Sequence, residues 1–96
     1  MKPSVALDLH REAVRALVAA HKLANPRVFG SVAAGTDTEA SDLDLLVDLT
    51  AGTSAFALFE LSEAIEKQLG VPVDLVTPNS VSKFIRRHVL AAACPL

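Results

Sequence analysis

The spacing of hydrophobic positions changes period along the chain, and each change marks an element. From about Asp8 to Leu23, the residues Val14, Leu17, Val18 and His21 recur at helical spacing, with Arg11, Glu12, Arg15 and Lys22 mostly elsewhere on the wheel. This predicts an amphipathic helix that Asn25-Pro26 stops. Arg27-Val28-Phe29 is short and apolar and runs directly into Gly30-Ser31, the pattern of a buried strand entering a turn. A short helical turn and a polar loop are expected from Val32 to Ser41. In Asp42-Leu43-Asp44-Leu45-Leu46-Val47-Asp48-Leu49 the period becomes two: Leu43, Leu45, Val47 and Leu49 share one face of a strand, and Asp42 and Asp44 share the other. After Thr50-Ala51-Gly52, Thr53 or Ser54 can cap a helix with the stripe Leu58, Leu61, Ile65 and Leu69, ended by Gly70. Pro72 opens a third strand, Val73-Asp74-Leu75-Val76. Pro78-Asn79-Ser80 leads into a last helix with Val81, Phe84, Ile85, His88, Val89 and Ala92 on one side. The order helix, strand, strand, helix, strand, helix predicts an α/β (α+β) layer, a small mixed β-sheet covered by helices.

Composition narrows what such a layer can do. Ninety-six residues make one domain, 1–96, with one core and no room for a second domain to grip a large substrate. The chain is 51% hydrophobic with mean hydropathy +0.39, so some apolar surface is expected to meet a partner. A net charge of -2 gives no basic field for a phosphate backbone, and no direct nucleic-acid partner is expected. One cysteine, Cys94, and the scattered His10, His21 and His88 form no zinc pattern, which points to a hard, oxygen-bound metal if any. No long apolar run or signal-like segment is present, so the expected address is cytoplasmic, with no membrane.

The candidate chemistry lies in the acids. Aspartates two apart on a strand have Cα atoms roughly 6–7 Å apart and point the same way. At about 5 Å and an effective dielectric near 20, their carboxylates repel by roughly 3 kcal/mol, which favours protonation of one or a cation between them. Mg²⁺ suits such a site, because it takes carboxylate oxygens and completes its shell with water and substrate phosphate. Asp74, on a strand that can lie alongside, would make a third acid, and three converging carboxylates can hold two ions. Gly30 allows close approach of backbone to a phosphate, and the Ser31 hydroxyl and following amides can donate to it.

The runs Phe29-Gly30-Ser31-Val32-Ala33-Ala34-Gly35 and Ser41-Asp42-Leu43-Asp44-Leu45-Leu46-Val47 resemble the signature of the DNA polymerase β type nucleotidyltransferase superfamily. The small size and the later Val73-Asp74-Leu75-Val76 are similar to its minimal nucleotidyltransferases (MNT), many of which are antitoxins of HEPN ribonuclease toxins. That resemblance implies the nucleotidyltransferase fold. It further implies Gly30 and Ser31 on the triphosphate, Asp42 and Asp44 on Mg²⁺, and Asp74 as a third metal-binding acid and candidate base. The implied activity is transfer of AMP from ATP to a tyrosine of a HEPN-type toxin, within a toxin-antitoxin complex. The family often has an arginine where this chain has Ala34. A non-catalytic antitoxin that neutralises by binding is one alternative. A small-molecule nucleotidyltransferase is another, and it would need a second subunit to complete its acceptor pocket.

Other polar residues have plainer readings. Asp48 reads as a solvated strand end, Asp37 and Glu39 as loop surface, and His21 as a packed or boundary residue. Lys83, Arg86, Arg87 and His88 read as a solvated helix face, or as a source of the cation missing at Ala34. The apolar tail Ala91-Ala92-Ala93-Cys94-Pro95-Leu96 can dock on a partner or cover the domain's own core, with Cys94 as a small hydrophobe.

Overall fold

The computed structural model describes residues 1–96. Helix α1 spans Pro3–Ala20, strand β1 Leu23–Phe29, helix α2 Gly30–Ala34, strand β2 Leu43–Leu49, helix α3 Ala55–Leu69 and strand β3 Val73–Val76. A 3-10 turn at Pro78–Ser80 follows, then helix α4, Arg86–Ala92, and a two-residue strand β4, Cys94–Pro95. The sheet order is β3-β2-β1-β4. Strand β2 is antiparallel to β1 and parallel to β3, and β4 is antiparallel to β1, so the sheet is mixed as expected.

One face of the sheet forms the core. Leu43, Leu45 and Val47 of β2 are buried there with Ala6, Leu7, Val14 and Val18 of α1 and Leu61, Ile65 and Leu69 of α3. The period-two reading of β2 therefore holds up to Leu49, which is 45% exposed. Leu46 is fully buried as well, on the aspartate side of the strand. Helix α3 ends as predicted at Gly70, whose left-handed φ of 73° closes the last turn. At its start, Ser54 takes the capping position, while Thr53 and Thr50 hydroxyls donate to the Lys22 carbonyl at 3.0 and 2.6 Å.

Three boundaries differ from the sequence reading. Helix α1 begins at Pro3, a residue suited to a first helical turn because its missing N–H is not needed there, and it continues across a kink at His10. That helix ends at Ala20, before Asn25-Pro26, since burying Leu23 requires the chain to turn at Lys22, whose φ is 61°. Asn25-Pro26 lies within β1 instead, as a bulge where pairing with β2 shifts register and Asn25 takes φ 54°.

The last helix is shorter than its apolar stripe. Residues 81–85 precede α4, the Arg86 guanidinium donates to the Pro78 and Val81 carbonyls at 2.7 and 3.2 Å, and Phe84 is 83% exposed. The tail covers the domain's own core: β4 pairs with Arg27 and Val28, and Leu96 is buried, although Cys94 itself is exposed. No helix is long and apolar enough to cross a membrane.

Candidate active site

Strand pairing assembles the acids. Phe29 of β1 lies opposite Asp44 of β2, and Asp44 lies beside Asp74 of β3. Residues paired in this way project from the same face, so Asp44 and Asp74 share the face turned away from the α1–α3 core. Asp42 stands at the mouth of β2 on the same side, just outside the strand. All three sit at one end of the sheet, where β1 finishes and β2 and β3 begin.

The electrostatics agree with that placement. Asp44 is half-buried, and its carboxyl is held above the usual carboxylate range, first by burial and then by the negative charges of Asp74 and Asp42. Asp42 and Asp74 are exposed. In their present rotamers the side chains do not close three donors on one point. A half-buried acid pushed up by burial and by two neighbouring carboxylates is an oxygen donor set whose repulsion a hard divalent cation would relieve, which is the donor chemistry that Mg²⁺ prefers.

Gly30 is where the phosphate side and the acid side meet. It follows Phe29, opens α2, and has φ 70°. A Cβ built there would overlap the Asp44 carboxylate oxygen Oδ2. Glycine is thus required twice, for the left-handed backbone and for the closeness of Asp44. Ser31, in the first turn of α2, is partly buried beside it. The backbone recloses at Gly35, also left-handed at φ 75°, with its amide donating to the Val32 carbonyl at 3.2 Å.

Asp37 departs from its expected place on the loop surface. It is 8% exposed, and its Oδ2 accepts a hydrogen bond from the Ser4 amide at 2.9 Å. That bond satisfies a donor at the start of α1. The Ser4 N–H is the main cause that holds the Asp37 carboxyl below its usual range, against the opposing effect of burial. Asp48 is likewise more than a solvated strand end, since it accepts from Arg27 at 2.6 Å and Asn25 at 3.1 Å. Both partnerships are long-range, and neither has a local sequence signal. His21 behaves as read, its Nδ1 lying 2.8 Å from the Leu17 carbonyl.

Two concavities lie at the other end of the sheet. One, of ≈ 380 Å³, is formed by Val18, Leu23, Pro26 and Leu96 among others, and the second by Asp48, Leu49 and Thr77–Asn79. The acids occupy an open edge instead. Of the basic cluster, Arg86 is committed to backbone carbonyls, while Lys83, Arg87 and His88 are exposed on or beside α4, which packs against α2.

Comparison with known proteins decides the family. The model for the nucleotidyltransferase domain matches residues 7–93, nearly the whole chain. The chain belongs to this family. A solved structure described as a minimal nucleotidyltransferase superposes with a TM-score of 0.87 at 43% identity, covering 97% of this chain and 95% of that one. The nucleotidyltransferase fold anticipated from the GS and DxD runs is therefore the fold observed. The protein adenylyltransferase MntA of Thermococcus cleftensis is 43% identical over 63 residues, 66% of this chain and 64% of its own length. A toxin-antitoxin structure solved with AMP-PNP superposes with a TM-score of 0.73 at 27% identity over 85% of this chain and 68% of that one.

Proposed function

We propose that this nucleotidyltransferase is an antitoxin that transfers AMP from ATP to a tyrosine hydroxyl of a HEPN-type ribonuclease toxin and so neutralises it. One observation carries the reading: the register that sets Asp74 beside Asp44, with Asp42 at the same edge and Gly30-Ser31 against them. Similarity to a protein adenylyltransferase and to a toxin-antitoxin structure holding an ATP analogue supports it.

In this reading Gly30 and Ser31 cradle the triphosphate, and Asp42, Asp44 and Asp74 hold Mg²⁺. Mg²⁺, when bound, neutralises triphosphate charge and makes the acceptor hydroxyl easier to deprotonate. The acceptor oxygen forms a bond to the α-phosphorus, and the bond from that phosphorus to the α,β-bridging oxygen breaks. Pyrophosphate departs, and the hydroxyl proton passes to the exposed Asp74 carboxylate. The open edge leaves the acceptor to be presented by a partner. Mass spectrometry of the toxin after incubation with ATP and Mg²⁺ tests the proposal: an added AMP on a tyrosine is expected, and an unmodified toxin would contradict it.

A second reading has its own observation. Ala34, where the family resemblance implies an arginine, is exposed at the end of α2, and Phe84 and Ile85 expose apolar surface beside α4. Both suit an antitoxin that acts by covering its toxin. Protection of toxin-expressing cells by a variant lacking Asp42 and Asp44 would favour this alternative.

A further inference from the structure

The connection from α2 to β2 joins the two halves of the proposed site. It leaves α2 after Ala34 and delivers Asp42 to the edge of β2. Of residues 35–42, only Asp37 is buried. Apart from Ser41, which is partly buried, the rest are exposed, so apolar packing does not hold this segment. Its internal bonds are local ones, Thr38 N–H to Ser41 Oγ at 2.8 Å, Ser41 N–H to the Thr38 carbonyl at 3.0 Å and Ala40 N–H to Thr38 Oγ1 at 3.2 Å. These shape the turn, and the Thr36 N–H, donating to the Ser31 carbonyl at 2.9 Å, ties only its first residues to α2. The Asp37 bond to the Ser4 amide fastens it, across 33 positions of sequence, to the start of α1. The other contact to that end, from the Met1 amino group to Glu39 at 3.8 Å, is exposed and solvent-screened.

We infer that Asp37 is a positioning residue for the metal site: its bond to Ser4 fixes the exposed turn so that Asp42 is held near Asp44 before any cation binds. The inference rests on the assignment of Asp42 and Asp44 as metal ligands. Ala6 and Leu7, in the next turn of α1, are fully buried against the core, so the anchor is itself rigid. Asp42 is exposed and lies between two anchors: buried Leu43, whose N–H donates to the Pro72 carbonyl at 2.9 Å, holds it from the strand side, and Asp37, five residues before it, holds the turn on the other. A ligand that must first be ordered binds more weakly than one already in place, because the ordering entropy is charged against binding.

The test compares wild type, Asp37→Ala, Asp37→Asn and the control Ser4→Ala, all below their melting temperatures. Mn²⁺ affinity is measured by electron paramagnetic resonance with AMP-PNP present, and amide exchange is followed over residues 35–42. Asp37→Ala is expected to weaken Mn²⁺ binding about tenfold, because ordering of the segment is then charged against binding, and to lose exchange protection in that segment. Asp37→Asn keeps the acceptor oxygen and is expected to stay within about threefold of wild type, as is Ser4→Ala, which keeps the amide donor. Saturating metal should restore turnover in Asp37→Ala.

Wild-type Mn²⁺ affinity in Asp37→Ala, even with a lowered melting temperature, would overturn the inference and leave Asp37 as a helix cap only. Equal weakening in Asp37→Asn would also overturn it, in favour of a simple charge effect. Failure of the wild-type protein to bind Mn²⁺ would instead remove the assignment of Asp42 and Asp44, and the inference with it. If Asp37→Ala does not fold, the exchange pattern of Asp37→Asn decides: retained protection over residues 35–42 supports positioning by the hydrogen bond, and lost protection contradicts it.

Discussion

Gly30 and Asp44 occupy adjoining space, and a single methyl group on the glycine would overlap the aspartate's carboxylate. The contact joins the proposed phosphate cradle to the proposed metal ligands through backbone placement, because Phe29, the residue before Gly30, pairs with Asp44 across the sheet. Gly30→Ala must therefore displace Asp44 and also place an alanine at φ 70°. The backbone term alone is about 1–2 kcal/mol. The expected result is a lower melting temperature and at least ~100-fold slower transfer. Transfer near the wild-type rate would show that Asp44 need not sit where the glycine allows it.

Removing acids should not unfold the protein. Asp44 resists ionising in the fold, so at neutral pH its charge opposes folding, and Asp44→Asn relieves that opposition. Thermal melts in chelator at pH 7 should place Asp44→Asn, alone or with Asp42→Asn, at or a few degrees above wild type. A large fall would mean that the carboxylate makes a stabilising contact absent from this account.

Acid titration separates the two shifted carboxyls by sign. Asp37 has a folded pKa below its unfolded value, so its contribution is present above the unfolded pKa and lost as pH falls through the folded one. Asp44 has a raised folded pKa, so metal-free stability rises as pH falls from neutral toward the unfolded value near 3.8. Melts between pH 7 and 2.5 should show Asp44→Asn without the rise and Asp37→Asn without its share of the later loss. Identical profiles for all three proteins would contradict both assignments.

The candidate site is more legible in the sequence than the structure that supports it. The alternation around Asp42 and Asp44, the glycine after Phe29 and the short run holding Asp74 are local patterns, and pairing of β1, β2 and β3 placed them together. Asp37 and Asp48 carry no local signal of their roles, because their partners, Ser4 and Arg27, are distant in sequence and only the fold brings them near. Strand β4 is invisible in the sequence because two residues carry no period, and α4 is shorter than its stripe suggests because the apolar residues Phe84 and Ile85 match helical spacing while facing solvent. For the tail, sequence left open whether it covers the core, and Leu96 settles that.

The Arg27–Asp48 pair offers a control outside the candidate site, since Arg27 reaches to Asp48, four residues along β2 from Asp44. Arg27 is largely buried and also donates from Nε to the Asn25 carbonyl at 3.0 Å, bracing the β1 bulge. Arg27→Met should cost about 1–3 kcal/mol by chemical denaturation, with ATP affinity unchanged below the melting temperature. A shift in ATP affinity comparable with that of a site variant would break the separation between the two ends of the sheet.

The most direct test of the central claim is transfer of label from α-labelled ATP, with Mg²⁺, to the proposed HEPN-type toxin partner. Wild type should label that partner, and Asp42→Asn with Asp44→Asn should reduce labelling by several orders of magnitude while still folding. No label from wild type, or equal label from the double variant, would contradict the account.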